Sequence, residues 1–334
     1  MIIPTVQGCV YTVTTDSSCH ITDQASGKAL GTAWANAPVT FTAMGSATVL
    51  SDDAATYTKV NFNSAAGALR LLTGGVNSSP LPEGYLPASF VQFMGKIGSF
   101  LSIPATCEVG DSLAFESHLR FTDLQNSSYE LSFPMKEHYC GLGWASGRGK
   151  GVCFISSSNI QGEWADTLWH HFRIEHDVAI GGFWLDGKQE AFVDGLEAEA
   201  PIDSSLGFGI GGCASSSNAY KRAYIAHCDF RFYKNGVLER DFVPCLHPHG
   251  YSCFYDLVTQ TPFYLTDTNM WVGMTLEQAR RLPELAAPQV AGDPLLIILP
   301  EDWPADVGTA AAVDAARAKG WTVSIETVER GLMP

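Results

Sequence analysis

"SLAFESHLRF", residues 112–121, alternates apolar and polar side chains with a period of two. Leu113, Phe115, Leu119 and Phe121 share one parity, and Glu116, His118 and Arg120 lie between them. That period belongs to a β-strand, whose successive Cβ atoms point to opposite faces. It predicts one face on a core and the other toward water, as in one leaf of an antiparallel sandwich. On this reading His118 is a solvent-facing strand residue. "SSYELSFPM", 127–135, repeats the pattern through Tyr129, Leu131, Phe133 and Met135.

Turn chemistry agrees. Asp186-Gly187 in "GGFWLDGKQEAF" and Asn235-Gly236 in "DFRFYKNGVLERDF" sit between β runs as two-residue type I′ signals. Both central positions of that turn want positive φ, which Asn, Asp and Gly tolerate best.

Working outward, residues 1–72 alternate in short bursts ("VYTVTT", "VTFTAM", "ATVLS", "TYTKVNF") and read as a small β domain for attachment or oligomerisation. "TGGVNSSPLPEGYLP", 73–87, reads as a linker. Longer, cleaner strands fill 88–273. The closing segment, 274–334, changes character. Thr275 and Gln278 in "TLEQARRL" form a capping-box signature, and Pro283 stops the helix. A buried-type run "LLIIL", an alanine-rich helix over 309–319 stopped by Gly320, and "WTVSIE" follow. Such a strand–helix–strand unit is too small to stand alone and needs a neighbour or another subunit to dock on.

Composition excludes several function classes. The net charge of −15 would repel phosphates, so nucleic acid is not expected as a partner. There is no basic run to read anionic lipid and no stretch of eighteen apolar residues, so no membrane association is expected. The opening "MIIPTVQGCVYTVTTDSS" lacks a charged n-region and is not expected to act as a secretory signal. Nine cysteines without a dense framework suit folding in a reducing cytosol. An intracellular module, or a particle component assembled inside a cell and released by lysis, fits these limits.

In the middle of the chain four signatures occur in order: "WHHFRIEHD" (169–177), "FWLDGKQEAF" (183–192), "LGFGIGG" (206–212) and "AHCDFRFYKNGVLERDF" (226–242). The series resembles the concanavalin A-like, laminin-G-like jelly roll over residues 88–273. The resemblance implies an antiparallel two-sheet sandwich, flanked by the small N-terminal β domain and a small C-terminal α/β unit. "LPEGYLPASFVQFMGKIGSFLSI" and "FVPCLHPHGYSCFYDLVTQTPFY" are similar to a variant seen in phage tail-associated and gut-bacterial surface proteins. The last forty residues look like the closing unit after leucine-rich repeats in bacterial surface proteins.

"DFVPCLHPHGYSCFYD", 241–256, packs two cysteines and two histidines into nine positions, and invites a zinc site, a disulfide clip or a hairpin. The resemblance implies two strands joined by a Pro/Gly turn, with Cys245 and Cys253 as cross-strand neighbours. Zinc knuckles use Cys pairs two to four residues apart, so the spacing does not suit a metal. Two thiols are expected, with a disulfide open to form after release from the cell.

His170, His171 and His176 are separated by strand alternation. His171 shares a face with Trp169, Arg173 and Glu175, and the other two share a face with Phe172 and Ile174. Glycosidases of this fold need two nearby carboxylates in a Glu-x-Asp-x-x-Glu run, which is absent. Glu163 and Asp166 in "EWAD" come nearest and read as an exposed loop, so no catalytic residue is expected.

Sugar sites need aromatic faces with a few planar hydrogen-bonding groups. Glycine-rich and polar loops offer Trp144, Arg148 and Lys150, then Trp164, then Asn218, Tyr220 and Arg222. Laminin-G-like domains often hold calcium. No matched aspartate pattern places an ion here, although Asp111 or Asp123 would supply oxygen ligands. No cofactor is otherwise expected.

These readings predict a non-enzymatic phage virion protein, a tail fibre or surface decoration. It would reside at the particle surface among other virion proteins and display a lectin-like domain to host-surface glycan. Fibre proteins are commonly trimers, so a homo-oligomer is expected. The alternative is a bacterial surface or secreted carbohydrate-binding adhesin. A glycoside hydrolase ranks third.

Overall fold

The computed structural model describes residues 2–4, 10–15, 19–33, 39–42, 44, 47–50, 57–63, 81–108, 110–134, 139–145, 150–155, 158–162, 166–177, 180–186, 188–194, 207–212, 222–285 and 294–328. The chain divides into two compact units, Met1–Pro82 and Glu83–Met333. In the first, Ile2–Pro4, Ala47–Leu50, Cys19–Asp23 and Ala29–Ala33 form one sheet in that order. Val39–Thr42, Val10–Thr15 and Tyr57–Asn63 form another. Ile21 and Leu50 are register partners and fully buried.

The second unit is built on the strand Leu113–Phe121. It pairs along one edge with His170–Asp177, which continues into Ile180–Leu185 and Lys188–Asp194. Its other edge pairs with Phe230–Lys234 and then Tyr224–His227. At the step between those two, the Cys228 amide donates to the His118 carbonyl at 2.9 Å, and the sheet forks. One branch runs through Val237–Leu246, Ser252–Asp256 and Thr261–Tyr264. The other runs through Phe90–Met94 and Met270–Gly273, then in parallel through Pro294–Pro300 and Thr322–Val328.

The apolar parity of Leu113–Phe121 faces a second layer. That layer holds the pair Leu101–Ile103 and Phe208–Ile210, and the meander from Ser128 to Gly162. The Phe208 ring lies 5.6 Å from Phe115, 5.7 Å from Phe230 and 5.3 Å from Phe232. Leu142, Cys153 and Ile155 of the meander join the same core. Each fully buried phenylalanine of this layer contact contributes roughly 1.5–3 kcal/mol. The body is the expected mainly β, two-layer antiparallel sandwich.

One expectation fails. The polar parity of Leu113–Phe121 does not face water: Glu116 is 7% exposed and Arg120 is 4% exposed. The Arg120 guanidinium sits over the rings of Phe90 and Trp169, at 5.6 and 5.2 Å. His118 is half-buried against Asp229 rather than solvated. Long paired side chains and neighbouring rings cover this face, so alternation alone misjudged its exposure.

The second unit starts inside the stretch read as a linker, because Leu86–Pro87 pairs with Cys245 and Leu246. The closing segment continues the main sheet through Pro294–Pro300. The capping box forms between Thr275 and Gln278, but its helix spans only Leu276–Ala279. The second helix begins at Val307 rather than Thr309, since Asp306 is the cap and accepts from the Thr309 amide at 2.7 Å. Gly320, at φ 93°, stands just past its end.

Asn235 and Gly236 take φ of 50° and 73°, as a type I′ turn requires. Asp186 is at φ 51°; Gly187 lies outside the described residues. Residues 241–256 are a hairpin in which Cys245 and Cys253 are register partners with fully buried thiols. Burial drives the Cys245 thiol well above its ordinary pKa.

Candidate ligand-binding site

Register places Trp184, Arg173, Glu116, Arg231 and Asp241 as successive partners across five adjacent strands. All five therefore project from the face opposite the phenylalanine core. Their ends are linked. Arg173 donates to Glu116 at 2.8 Å and to Glu175 at 2.6 Å. Arg231 donates to the other Glu116 oxygen at 2.7 Å, and its guanidinium lies 3.4 Å from both Asp229 and Asp241. The Tyr233 hydroxyl also donates to Glu116, at 3.0 Å.

The electrostatics follow from this pairing. Burial opposes ionisation of Glu116, but Arg231 overcomes it and holds the carboxyl below the usual carboxylate range. Burial and then the Glu116 charge push the Tyr233 phenol up to about 12. Next along the face, His118 and His171 are register partners with ring centroids 4.6 Å apart. Burial, then the neighbouring His118, lowers His171 to about 4, so it is neutral at physiological pH.

At the rim the face becomes aromatic. Gly182 pairs with Glu175 on one side and Phe192 on the other. The Trp184 indole lies across Gly182, in space a Cβ would occupy. Trp184 is half-buried, and Phe192 is 58% exposed. Beside the polar row an open cleft of about 360 Å³ is lined by Ser112, Ala114, Arg173, Glu175, Tyr233 and Gly236, among others. The arrangement offers flat apolar rings next to fixed polar groups, with a cleft on the far side of Arg173 and Glu175.

The loop candidates fare differently. Trp144 is not on a loop: it lies in the strand Tyr139–Ala145, with Ser128 and Gly151 as register partners. Glycine-rich sequence suggested a loop there, but 141–145 and 150–155 pair as a hairpin, and Lys150 opens its second strand. Arg148, Trp164, Asn218 and Tyr220 lie outside the described residues, as does Glu163. Arg222 is half-buried with its guanidinium 5.8 Å from the Tyr224 ring, on the other branch of the sheet. Asp166 accepts from the Leu168 amide and contacts His170 at 3.1 Å. Asp111 and Asp123 accept from neighbouring chain groups, Asn235 at 2.7 Å and the Gln125 amide at 2.6 Å.

Sequence reasoning missed Trp184, Phe192 and Tyr233. The signal was present in "GGFWLDGKQEAF": with Phe183 and Ala191 on the core side, Trp184 and Phe192 are aromatics left on the polar parity.

No protein-family model matches this chain, and no curated protein matches it. In fold it is similar to several solved structures. One is a candidate carbohydrate-binding protein from Bacteroides ovatus, 12% identical, with a TM-score of 0.39, covering 81% of this chain and 91% of that one. Mouse laminin α1 domains LG4-5 match at 10% identity and a TM-score of 0.33, covering 72% of this chain and 88% of that one. A Trypanosoma rangeli sialidase matches at 16% identity and a TM-score of 0.34, covering 42% of this chain and only 24% of the sialidase. These likenesses are remote.

Proposed function

We propose that the second unit is a non-enzymatic carbohydrate-binding module whose sugar docks on the Trp184 face. The observation that carries this reading is the indole laid over Gly182 beside the exposed Phe192, bordered by Arg173 and Glu175, with the Tyr233 ring 5.6 Å beyond the Arg173 guanidinium. A pyranose presents an apolar C–H face that stacks on such rings, while its hydroxyls find the planar polar groups. Catalysis fits less well. A glycosidase acid needs a raised pKa, whereas Glu116 is held low by its arginine partners.

We further propose that the protein is a phage virion component, a homo-oligomeric tail fibre or surface decoration that attaches through its N-terminal unit. Support comes from the resemblance of residues 242–264 to phage tail-associated proteins and from the acidic, β-rich composition. The same resemblance includes gut-bacterial surface proteins, which favours a bacterial carbohydrate-binding adhesin as the second reading.

A glycan array probed with the full chain and with Trp184→Ala tests the binding role. Signals lost in the variant support it, and signals indifferent to the variant remove it. Peptides of this chain in purified phage particles would favour the virion reading, and peptides on bacterial surfaces would favour the adhesin.

A further inference from the structure

The charges around the Trp184 face specify the class of sugar, an inference that rests on the binding role just proposed. Two guanidiniums, Arg173 and Arg231, serve four carboxylates: Glu116, Glu175, Asp229 and Asp241. Arg173 directs Nε to Glu175 and Nη1 to Glu116. Arg231, 7% exposed, is enclosed by its own acidic partners. His171, neutral at physiological pH, adds no positive charge. Lys188 at the rim is held by Glu190 at 2.7 Å, and Asp194 is exposed nearby on the hairpin.

An anionic sugar would have to displace a carboxylate already bonded to Arg173, then sit beside Glu116 and Glu175 on a protein of net charge −15. Ligand carboxylates and sulfates are recognised by forked guanidinium donors, and here the protein's own acids occupy those forks. Neutral hydroxyls carry no such conflict. They donate to carboxylate oxygens and to the Tyr233 oxygen, and accept from Ser112, at the cleft without losing a charge partner.

We infer that this face selects uncharged, hydroxyl-rich pyranose chains and rejects uronate-, sialate- and sulfate-bearing ones.

The test is affinity electrophoresis of the full chain in gels containing uncharged polysaccharides (galactomannan, xyloglucan, dextran) or anionic ones (polygalacturonate, polysialate, heparin). An uncharged polymer should retard the protein, and Trp184→Ala should weaken that binding roughly tenfold or more. Anionic polymers should bind at least about tenfold more weakly at low salt, with the gap narrowing as salt screens the repulsion. Glu175→Gln, which frees part of the Arg173 fork, should raise anionic binding.

Trp184-dependent binding of an anionic polymer, equal to or tighter than that of the uncharged ones, overturns the selectivity but leaves the sugar-binding face standing. Failure of every polymer to bind, or binding indifferent to Trp184→Ala, removes the proposed function and this inference with it.

Discussion

The Trp184 indole lies over Gly182, its nearest ring carbon 2.1 Å from where a Cβ on residue 182 would stand. A methyl group there collides with the far end of the indole, not with backbone. In Gly182→Ala the ring should therefore swing away, and the fold should survive. The expected stability cost is no more than about 1–3 kcal/mol, with a shift in tryptophan emission and roughly tenfold weaker sugar binding. Thermal melts, fluorescence and titration on one sample separate these effects.

Phe192 is exposed on the edge hairpin and contributes little to the core. Phe192→Ser should change unfolding free energy by less than about 0.5 kcal/mol. Its effect should appear in affinity, measured by calorimetric titration with whichever polysaccharide the wild-type chain binds.

Glu116 is the acceptor shared by Arg173, Arg231 and Tyr233. Removing it in Glu116→Ala takes the closest acidic partner from the buried Arg231, leaving Asp229 and Asp241 at 3.4 Å, and should cost about 1–3 kcal/mol. Glu175→Ala, at the half-exposed rim, should cost less than about 1 kcal/mol. Urea denaturation with unchanged slopes and separated midpoints would show the difference.

Stability should fall with acid in two stages. His171, lowered to about 4 from an ordinary 6.5, is neutral in the fold while the unfolded chain takes up a proton. The unfolded state therefore binds more protons in that window, and stability declines as pH drops from about 6.5 toward 4. Below it, Glu116 follows the same sign: its depressed pKa stabilises the fold above the unfolded carboxylate value, and that stability is lost as pH falls through the folded one. His171→Gln should flatten the first stage and leave the second, as read from melting temperature against pH.

Cys245 and Cys253 are fully buried register partners. Iodoacetamide labelling followed by peptide mass spectrometry should leave both unmodified in the native protein. Both should label fully in guanidinium, because burial withholds the reactive thiolate.

Much of the fold was legible because its determinants are local. The Asn235-Gly236 turn adopts the positive φ its residue types favour, and Thr275 and Gln278 close their capping box. The apolar residues of Leu113–Phe121 are buried, as their alternation predicts. The site was less legible. Loop composition drew attention to Trp144, a strand residue, while Trp184 and Phe192 passed as ordinary members of a hairpin. An aromatic on the polar parity acquires its meaning from the neighbours that register brings to it.

The amino-acid order alone settled which parity of Leu113–Phe121 is greasy and where the chain reverses at Asn235-Gly236, since those choices depend on side chains a few positions apart. Tertiary structure alone decided that the polar parity of the central strand would be covered. Glu116 finds Arg173 at a separation of 57 residues and Arg231 at 115. Charges so far apart in the chain meet only after pairing has fixed the register. Their mutual neutralisation then makes burial of that face tolerable.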